Sequence, residues 1–220
     1  MTDKKTIAVI GGTGAEGGGI ALRLANAGFP VIVAGRDAAK AEAAAAEINT
    51  LTAKDNARGL ANHDAAASAD IVLMAVPYAA QQVTAQSVAA HLQGKILIDA
   101  TVPLMPPKVG RVQLPEGDSA VANLQALLGE EVKVVAAFQN ISAHHLRDLE
   151  HEVECDVLVC ADDGEAAVEV VGIANAMGLR AYHAGPVANA AAVEALTSLL
   201  ISMNRRYKSV GGTGIRVTGI

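Results

Sequence analysis

Tryptophan is absent from this 220-residue chain, and the aromatic residues are limited to Phe29, Phe138, Tyr78, Tyr182 and Tyr207. Platforms for single-stranded nucleic acid stack bases on several rings, so that class is excluded. A cationic excess is missing too: 17 Lys and Arg face 23 Asp and Glu, for a formal charge of −6. That balance argues against a duplex-binding surface. Cysteine is confined to Cys155 and Cys160. Their odd spacing points them to opposite faces of a strand expected over Asp156–Ala161. They read as buried thiols rather than a disulfide or a shared metal site. No run approaches the roughly 18 apolar residues of a membrane span. The apolar run Thr6–Ile10 is too short for a secretory signal. The expectation is a cytoplasmic protein with a small-molecule partner, no nucleic acid and no membrane.

Hydrophobic residues make up 51% of the chain and charged residues 18%, enough apolar material for a substantial buried core. Short apolar runs at Thr6–Ile10, Val31–Ala34, Ile71–Val76 and Lys95–Ile98 alternate with helix-forming stretches at Ile20–Ala27, Ala38–Ile48 and Ala79–Leu92. Strands apolar on both faces, separated by helices, imply a parallel sheet covered on each side. The fold class expected is α/β, a Rossmann-like, doubly wound, mostly parallel sheet with a small C-terminal α/β segment. Four prolines and two glycines between Thr101 and Asp118 mark a long loop. Beyond it, strands are expected at Val132–Ala137, Asp156–Ala161 and Leu179–Ala184, and helices at Glu165–Met177 and Val187–Lys208. The division expected is residues 1–137 for the nucleotide-binding domain and 138–220 for a smaller segment completing a cleft. The low charge of the closing helix suits burial, either in its own domain or against a second subunit.

The sequence Gly12-Thr13-Gly14-Ala15-Glu16-Gly17 fits G-x-G-x-x-G between the first strand and the first helix. In that setting Gly12 permits the tight turn, Gly14 lets backbone approach a pyrophosphate, and Gly17 allows close helix–strand packing. The helix N-terminus offers unpaired N–H groups and partial positive charge to phosphates. The second strand ends in Gly35-Arg36-Asp37, with Lys40 one turn on. A site preferring NAD ends this strand in Asp or Glu. Arg36 and Lys40 instead suit a 2′-phosphate, and Thr13 can add a hydroxyl, so the cofactor expected is NADP(H).

Acid–base machinery is not evident. No tyrosine is followed by lysine four positions later: Tyr78 is followed by Gln82, Tyr182 by Pro186 and Tyr207 by Gly211. His144, His145 and His151 fit no usual zinc spacing and read as a solvated helical face, so no metal is expected. Asp162-Asp163 reads as a helix cap. Gly211-Gly212-Thr213-Gly214 echoes the first glycine loop but precedes a strand-like Ile215–Thr218, so it is not a second phosphate site. Hydride transfer between two stacked rings needs little proton handling by the protein and suits such a chain.

Taken in order, Ile7 to Gly17, Val31 to Lys40, Asp70 to Tyr78, Val135 to Leu146, Asp156 to Asp163, Ala184 to Leu200 and the closing Gly214-Ile215-Arg216-Val217 resemble NADPH-dependent F420 reductases. The resemblance implies a homodimeric oxidoreductase exchanging hydride directly between NADP(H) and the deazaflavin coenzyme F420. It places Thr13, Gly35, Arg36 and Lys40 at the 2′-phosphate, and Val76 and Pro77 where the cofactor crosses the strand ends. Gln139, Asn140 and Ile141 fall at the junction of nicotinamide and deazaflavin, Val102-Pro103-Leu104 flanks the cleft, and Thr197 lies on a helix facing it. Two departures stand out: members of that family can carry Ser in place of Gly35 and His in place of Gln139. Gln hydrogen-bonds a carbonyl but does not titrate. The alternatives are an NADPH-dependent reductase of a flavin, ferric chelate, imine or carbonyl, and a non-catalytic NADP(H)-sensing module.

Overall fold

The computed structural model describes residues 4–220. Strand and helix alternate through β1 (Ile7–Ile10), α1 (Ala15–Asn26), β2 (Val31–Gly35), α2 (Ala38–Thr52), β3 (Ala57–Ala61) and α3 (Asn62–Ser68). They continue through β4 (Ile71–Met74), α4 (Gln81–Val88), β5 (Ile96–Asp99), α5 (Ala120–Leu128) and β6 (Lys133–Ala136). The remainder is α6 (Ala143–Arg147), β7 (Val157–Ala161), α7 (Gly164–Ala176), β8 (Ala181–His183) and α8 (Ala190–Tyr207). The strands form one sheet in the order β3-β2-β1-β4-β5-β6-β7-β8. Every pairing is parallel except β6 with β7. The order reverses between β1 and β4, and ligands of doubly wound sheets lie at the carboxyl ends beside such a reversal.

The central strands β1, β2, β4 and β5 are buried along their whole length, as expected for parallel strands covered on both sides. Alternate residues feed two cores. Ile7, Val9, Val33 and Leu73 pack with Ile20, Leu24, Ile48, Leu146 and Val170 on one face. Ala8, Ile10, Ile32 and Met74 pack with Ala65, Val88, Leu124 and Val193 on the other. Cys155 belongs to the first core and Cys160 to the second, so the thiols do lie on opposite sides of the sheet.

The structure departs from the sequence expectation in particular places. Strand β3 and helices α3 and α5 were not foreseen. The Ala-Arg-Gly-Leu-Ala of β3 alternates buried and exposed at an edge, and its Gly59 packs so close to α2 that a Cβ would sit 2.1 Å from Glu42 N. That glycine weakens the strand signal while being required by the packing. Helix α6 stops at Arg147, so His151 lies beyond it rather than two turns along it. Buried Arg23 of α1 holds this segment, donating to the carbonyls of His145, Leu146, Asp148 and His151 at 2.7–3.1 Å. Ile215–Thr218 forms no strand. It is tied to the start of β7 by Asp156 N–H to Ile215 O (2.9 Å) and Val217 N–H to Asp156 Oδ2 (2.7 Å).

By length and composition Val187–Tyr207 could cross a membrane. Its Glu194, however, is buried at the head of α5, accepting from Ser119 Oγ (2.8 Å), Ala120 N–H (2.9 Å) and Val121 N–H (3.0 Å). Those bonds lock α8 into the globular fold. Leu199, Met203 and Tyr207 stay exposed on the opposite side of α8.

Candidate active site

The glycine loop follows β1, and its tight turn falls one residue earlier than the motif suggests. Gly11, not Gly12, has the left-handed φ of +83°, and a Cβ there would sit 2.3 Å from Ala75 O. Gly12 is needed for close approach, since its Cβ would lie 2.7 Å from Val9 O. Gly17 closes the packing, with a Cβ only 2.4 Å from Gly11 O. Thr13, Gly14 and Ala15 are exposed above the sheet. No side chain caps α1 at Gly14, which leaves first-turn N–H groups and the positive end of the helix dipole open to a phosphate. This cradle fits a pyrophosphate.

Beside it stands the end of β2. Arg36 and Lys40 are exposed. Thr13 faces Gly35, where a Cβ would lie 3.6 Å from Thr13 Cγ2. Asp37 accepts from Lys40 N–H at 3.2 Å and caps α2. With its carboxylate turned to its own helix, Asp37 is not positioned as a ribose-binding acid would be, and the free side chains at this end are cationic. Such a set suits a 2′-phosphate.

The other end of the cleft lies beyond β4 and β5. Val76 packs against Gly11, where a Cβ would lie 3.3 Å from Val76 Cγ1, and Pro77 is exposed next to it. Gln139 is buried, its Nε2 donating to Asp99 O at 2.8 Å, and its backbone carbonyl accepts from Thr197 Oγ1 at 2.7 Å. Phe138 just before it has φ +75°, an uncommon conformation for a bulky residue and of a kind that clusters at functional sites. Asn140 turns elsewhere, donating to Asp156 O at 2.8 Å and Cys155 Sγ at 3.3 Å, and Ile141 is buried in the core. Of the junction residues suggested by sequence, Gln139 and Thr197 come together, whereas Asn140 ties the loop to β7. The loop carrying Val102, Pro103 and Leu104 leaves β5 here, and Thr101 Oγ1 reaches Val76 O at 3.5 Å.

No paired carboxylates stand out in the sequence, but the fold buries the acidic groups Asp99, Glu16 and Glu194, wholly or in part. Asp99 ends β5 fully buried, accepting from Thr101 N–H at 3.0 Å and from Gln81 Nε2. Burial raises its pKa against the opposing pull of these bonds. Glu16, in the first turn of α1, is raised to about 8, chiefly by burial and then by the Asp99 charge. Burial likewise raises Glu194. The side-chain oxygens Glu16 Oε1, Gln81 Oε1 and Gln139 Oε1 are all buried without a hydrogen-bond partner. Two of these side chains donate to Asp99, and the third feels its charge. The available signal was Asp99, a carboxylate ending an otherwise aliphatic strand; Gln81 had none.

The histidines form no such site. The rings of His145 and His151 lie 4.3 Å apart, and burial lowers the pKa of His145. Among the described residues no group of three or more His, Cys, Asp and Glu side chains is arranged to hold a metal ion. Arg147 reaches over the glycine loop to Gly14 O and Ala15 O, both at 3.4 Å. Asp163 caps α7 through Ala166 N–H at 2.8 Å, as its sequence position suggested.

A phosphate cradle after β1, cations following β2 and a buried polar cluster beyond β5, beside the strand-order reversal, define a Rossmann-type NADP-dependent oxidoreductase. Residues 6–103 match the family described as NADP oxidoreductase, coenzyme F420-dependent. The F420-dependent NADP reductase of Methanothermobacter thermautotrophicus is 42% identical, over 97% of this chain and 95% of its own. That of Methanocaldococcus jannaschii is 39% identical over 97% and 98%. A crystal structure from an Arthrobacter species, ascribed to F420-dependent NADP reductases, superposes with a TM-score of 0.77 at 27% identity, covering 94% of this chain and 96% of that one. This chain belongs to the F420-dependent NADP reductase family.

Proposed function

We propose that the protein transfers a hydride between NADP(H) and coenzyme F420, with the two rings stacked directly in the cleft. The observation that carries this is the uncapped α1 N-terminus beside Arg36 and Lys40, in a chain with full-length relatives named F420-dependent NADP reductases. When bound, the reduced nicotinamide supplies the hydride and the deazaflavin accepts it. The α1 N–H groups hold the pyrophosphate, and Gly12, Gly14 and Gly17 keep backbone close to it. Thr13, the Gly35 backbone, Arg36 and Lys40 hold the 2′-phosphate. Val76 and Pro77 support the cofactor as it crosses the sheet. Gln139 is fixed from one side by Asp99 O and from the other by Thr197, and its buried Oε1 has no partner within the chain.

In this reading residues 1–137 bind the dinucleotide and 138–220 complete the cleft. A second copy covers the exposed apolar side of α8, where Leu199, Met203 and Tyr207 sit together with no cover in the single chain. The deciding experiment is anaerobic mixing with NADPH and oxidised F420, following loss of the deazaflavin's visible absorbance, with NADH in parallel. Bleaching with NADPH and little with NADH is expected. Bound NADPH without bleaching would overturn the acceptor and keep the dinucleotide site.

A further inference from the structure

We propose that Glu16 must carry its proton for this protein to hold NADP(H), so that dinucleotide binding takes up a proton and weakens as the solution becomes alkaline. The inference rests on the reading of the α1 cradle as the pyrophosphate site and deepens it.

Three observations carry it. Glu16 lies in the first turn of α1, where the open N–H groups and the helix dipole are the attraction for a diphosphate. An ionised carboxylate there cancels much of that attraction, whereas a neutral acid leaves it intact. Its Oε1 is buried with no donor directed at it, an arrangement costly for a carboxylate and tolerable for the uncharged acid. Finally, Asp99 sits fully buried at the end of β5, two strands along the sheet from β1, and its charge opposes ionisation of Glu16.

The other charged groups around α1 do not neutralise Glu16. Arg147 of α6 is engaged with the carbonyls of Gly14 and Ala15. Arg23 of α1 is held by the α6 carbonyls. Glu47 of α2 lines the groove on the α1–α2 side with Thr13 and Arg147. Arg36 and Lys40 stand at the end of β2, and Glu194 of α8 is bound to the head of α5. Burial together with Asp99 raises Glu16 to about 8, which puts its titration in a range where binding is readily measured.

The proton balance is simple. Above its pKa, free Glu16 gives its proton to solvent, and binding draws one proton back onto the carboxyl. If only the protonated form binds, the apparent dissociation constant scales inversely with its population, giving about a thirtyfold loss of affinity between about pH 7 and pH 9.5. NADPH binding would be followed by nicotinamide fluorescence over this range, for the native chain and for Glu16→Gln, which keeps the shape without the titrating proton. The native chain is expected to lose affinity as stated, while the variant stays flat. Calorimetry at about pH 8.5 in two buffers of different ionisation enthalpy should show uptake of about three-quarters of a proton by the native chain and almost none by the variant.

A decline shared by both chains would assign the effect to another group and overturn the inference. So would a flat native profile. Should Glu16→Gln fail to fold, Asp99→Asn gives the second test: removing the repulsion must move the midpoint of the native decline to lower pH, and an unmoved midpoint counts against the pairing. A chain that binds NADPH at no pH overturns the site reading itself, a result distinct from tight but pH-independent binding.

Discussion

At the proposed adenosine end the polar groups stand in solvent and come from one stretch of chain; at the proposed ring end they are buried and come from several. Thr13, Arg36 and Lys40 are exposed and lie within one stretch, from the loop after β1 to the first turn of α2. Gln81, Asp99, Gln139 and Glu194 are buried and are brought together from α4, β5, the turn after β6, and α8. Exposed cations add affinity without being needed to fold the chain, and single substitutions alter them cleanly. A buried polar network works differently, because each member satisfies another and loss of one is felt in both positioning and stability. Recognition and ring geometry are therefore separable at the first end and joined to folding at the second.

The strongest challenge to this contrast is the double variant Arg36→Ala, Lys40→Ala. Arg36→Ala alone should raise the KM for NADPH about tenfold or more, the loss of about 1.5–3 kcal/mol expected for a charge-assisted hydrogen bond. Adding Lys40→Ala should bring the loss towards a hundredfold, with KM for NADH and melting temperature nearly unchanged. Unaltered discrimination between the two dinucleotides would remove the 2′-phosphate assignment.

Gln139→Ala probes the other end. It deletes the donor to Asp99 O and opens space beside Thr197. We expect kcat to fall about tenfold while KM for NADPH stays within a factor of about two, with about 1–2 kcal/mol of stability lost in denaturant titration. A change in KM alone, at full stability, would mean that the ring end is as independent of folding as the adenosine end.

Asp99→Asn sharpens the same point through pH. Burial raises the pKa of Asp99 in the folded chain, so its contribution to stability is fully present below the unfolded pKa and is lost as pH rises through the folded one. Asparagine has no such loss, and Gln81 Oε1, now without a partner, can accept from its amide after a flip. Thermal melts should show the variant gaining on the native chain as pH rises above the ordinary carboxylate range, by a few degrees at the alkaline end. A constant difference at all pH values would show that Asp99 does not titrate there.

The same contrast governs what could be read without coordinates. The candidate dinucleotide site after β1 and β2 could be proposed from sequence because G-x-G-x-x-G and Gly35-Arg36 are local patterns with fixed chemistry, and the alternation of apolar runs gave the sheet. The ring end could be proposed only in part. Gln139 and Thr197 came from the family resemblance, and the structure joins them, but Asn140 faces β7 instead of the cleft. Asp99 and Gln81 lie 18 positions apart, and nothing local announces that their side chains meet. Edge strand β3 was hidden by its alternating burial and its glycine. The turn at Gly11 was displaced by one residue because two glycines adjoin and only backbone geometry tells them apart.

The smallest effect tests whether the adenosine end is open to adjustment. Gly35 does not need a left-handed backbone, and a Cβ there meets only Thr13 Cγ2 at 3.6 Å and Thr13 Oγ1 at 3.8 Å, with Asp37 O also at 3.8 Å. A serine therefore fits at ordinary contact distance. Its hydroxyl can add a donor to the 2′-phosphate beside that of Thr13. Gly35→Ser should lower KM for NADPH about three- to tenfold, the value of one further hydrogen bond to a charged group. Stability should change by less than about 0.5 kcal/mol, since no packed neighbour must move. A gain for NADPH with none for NADH would place the new hydroxyl at the 2′-phosphate. An equal gain for both would instead attribute it to a stiffer β2–α2 turn, and the exposed end would then be coupled to the fold after all.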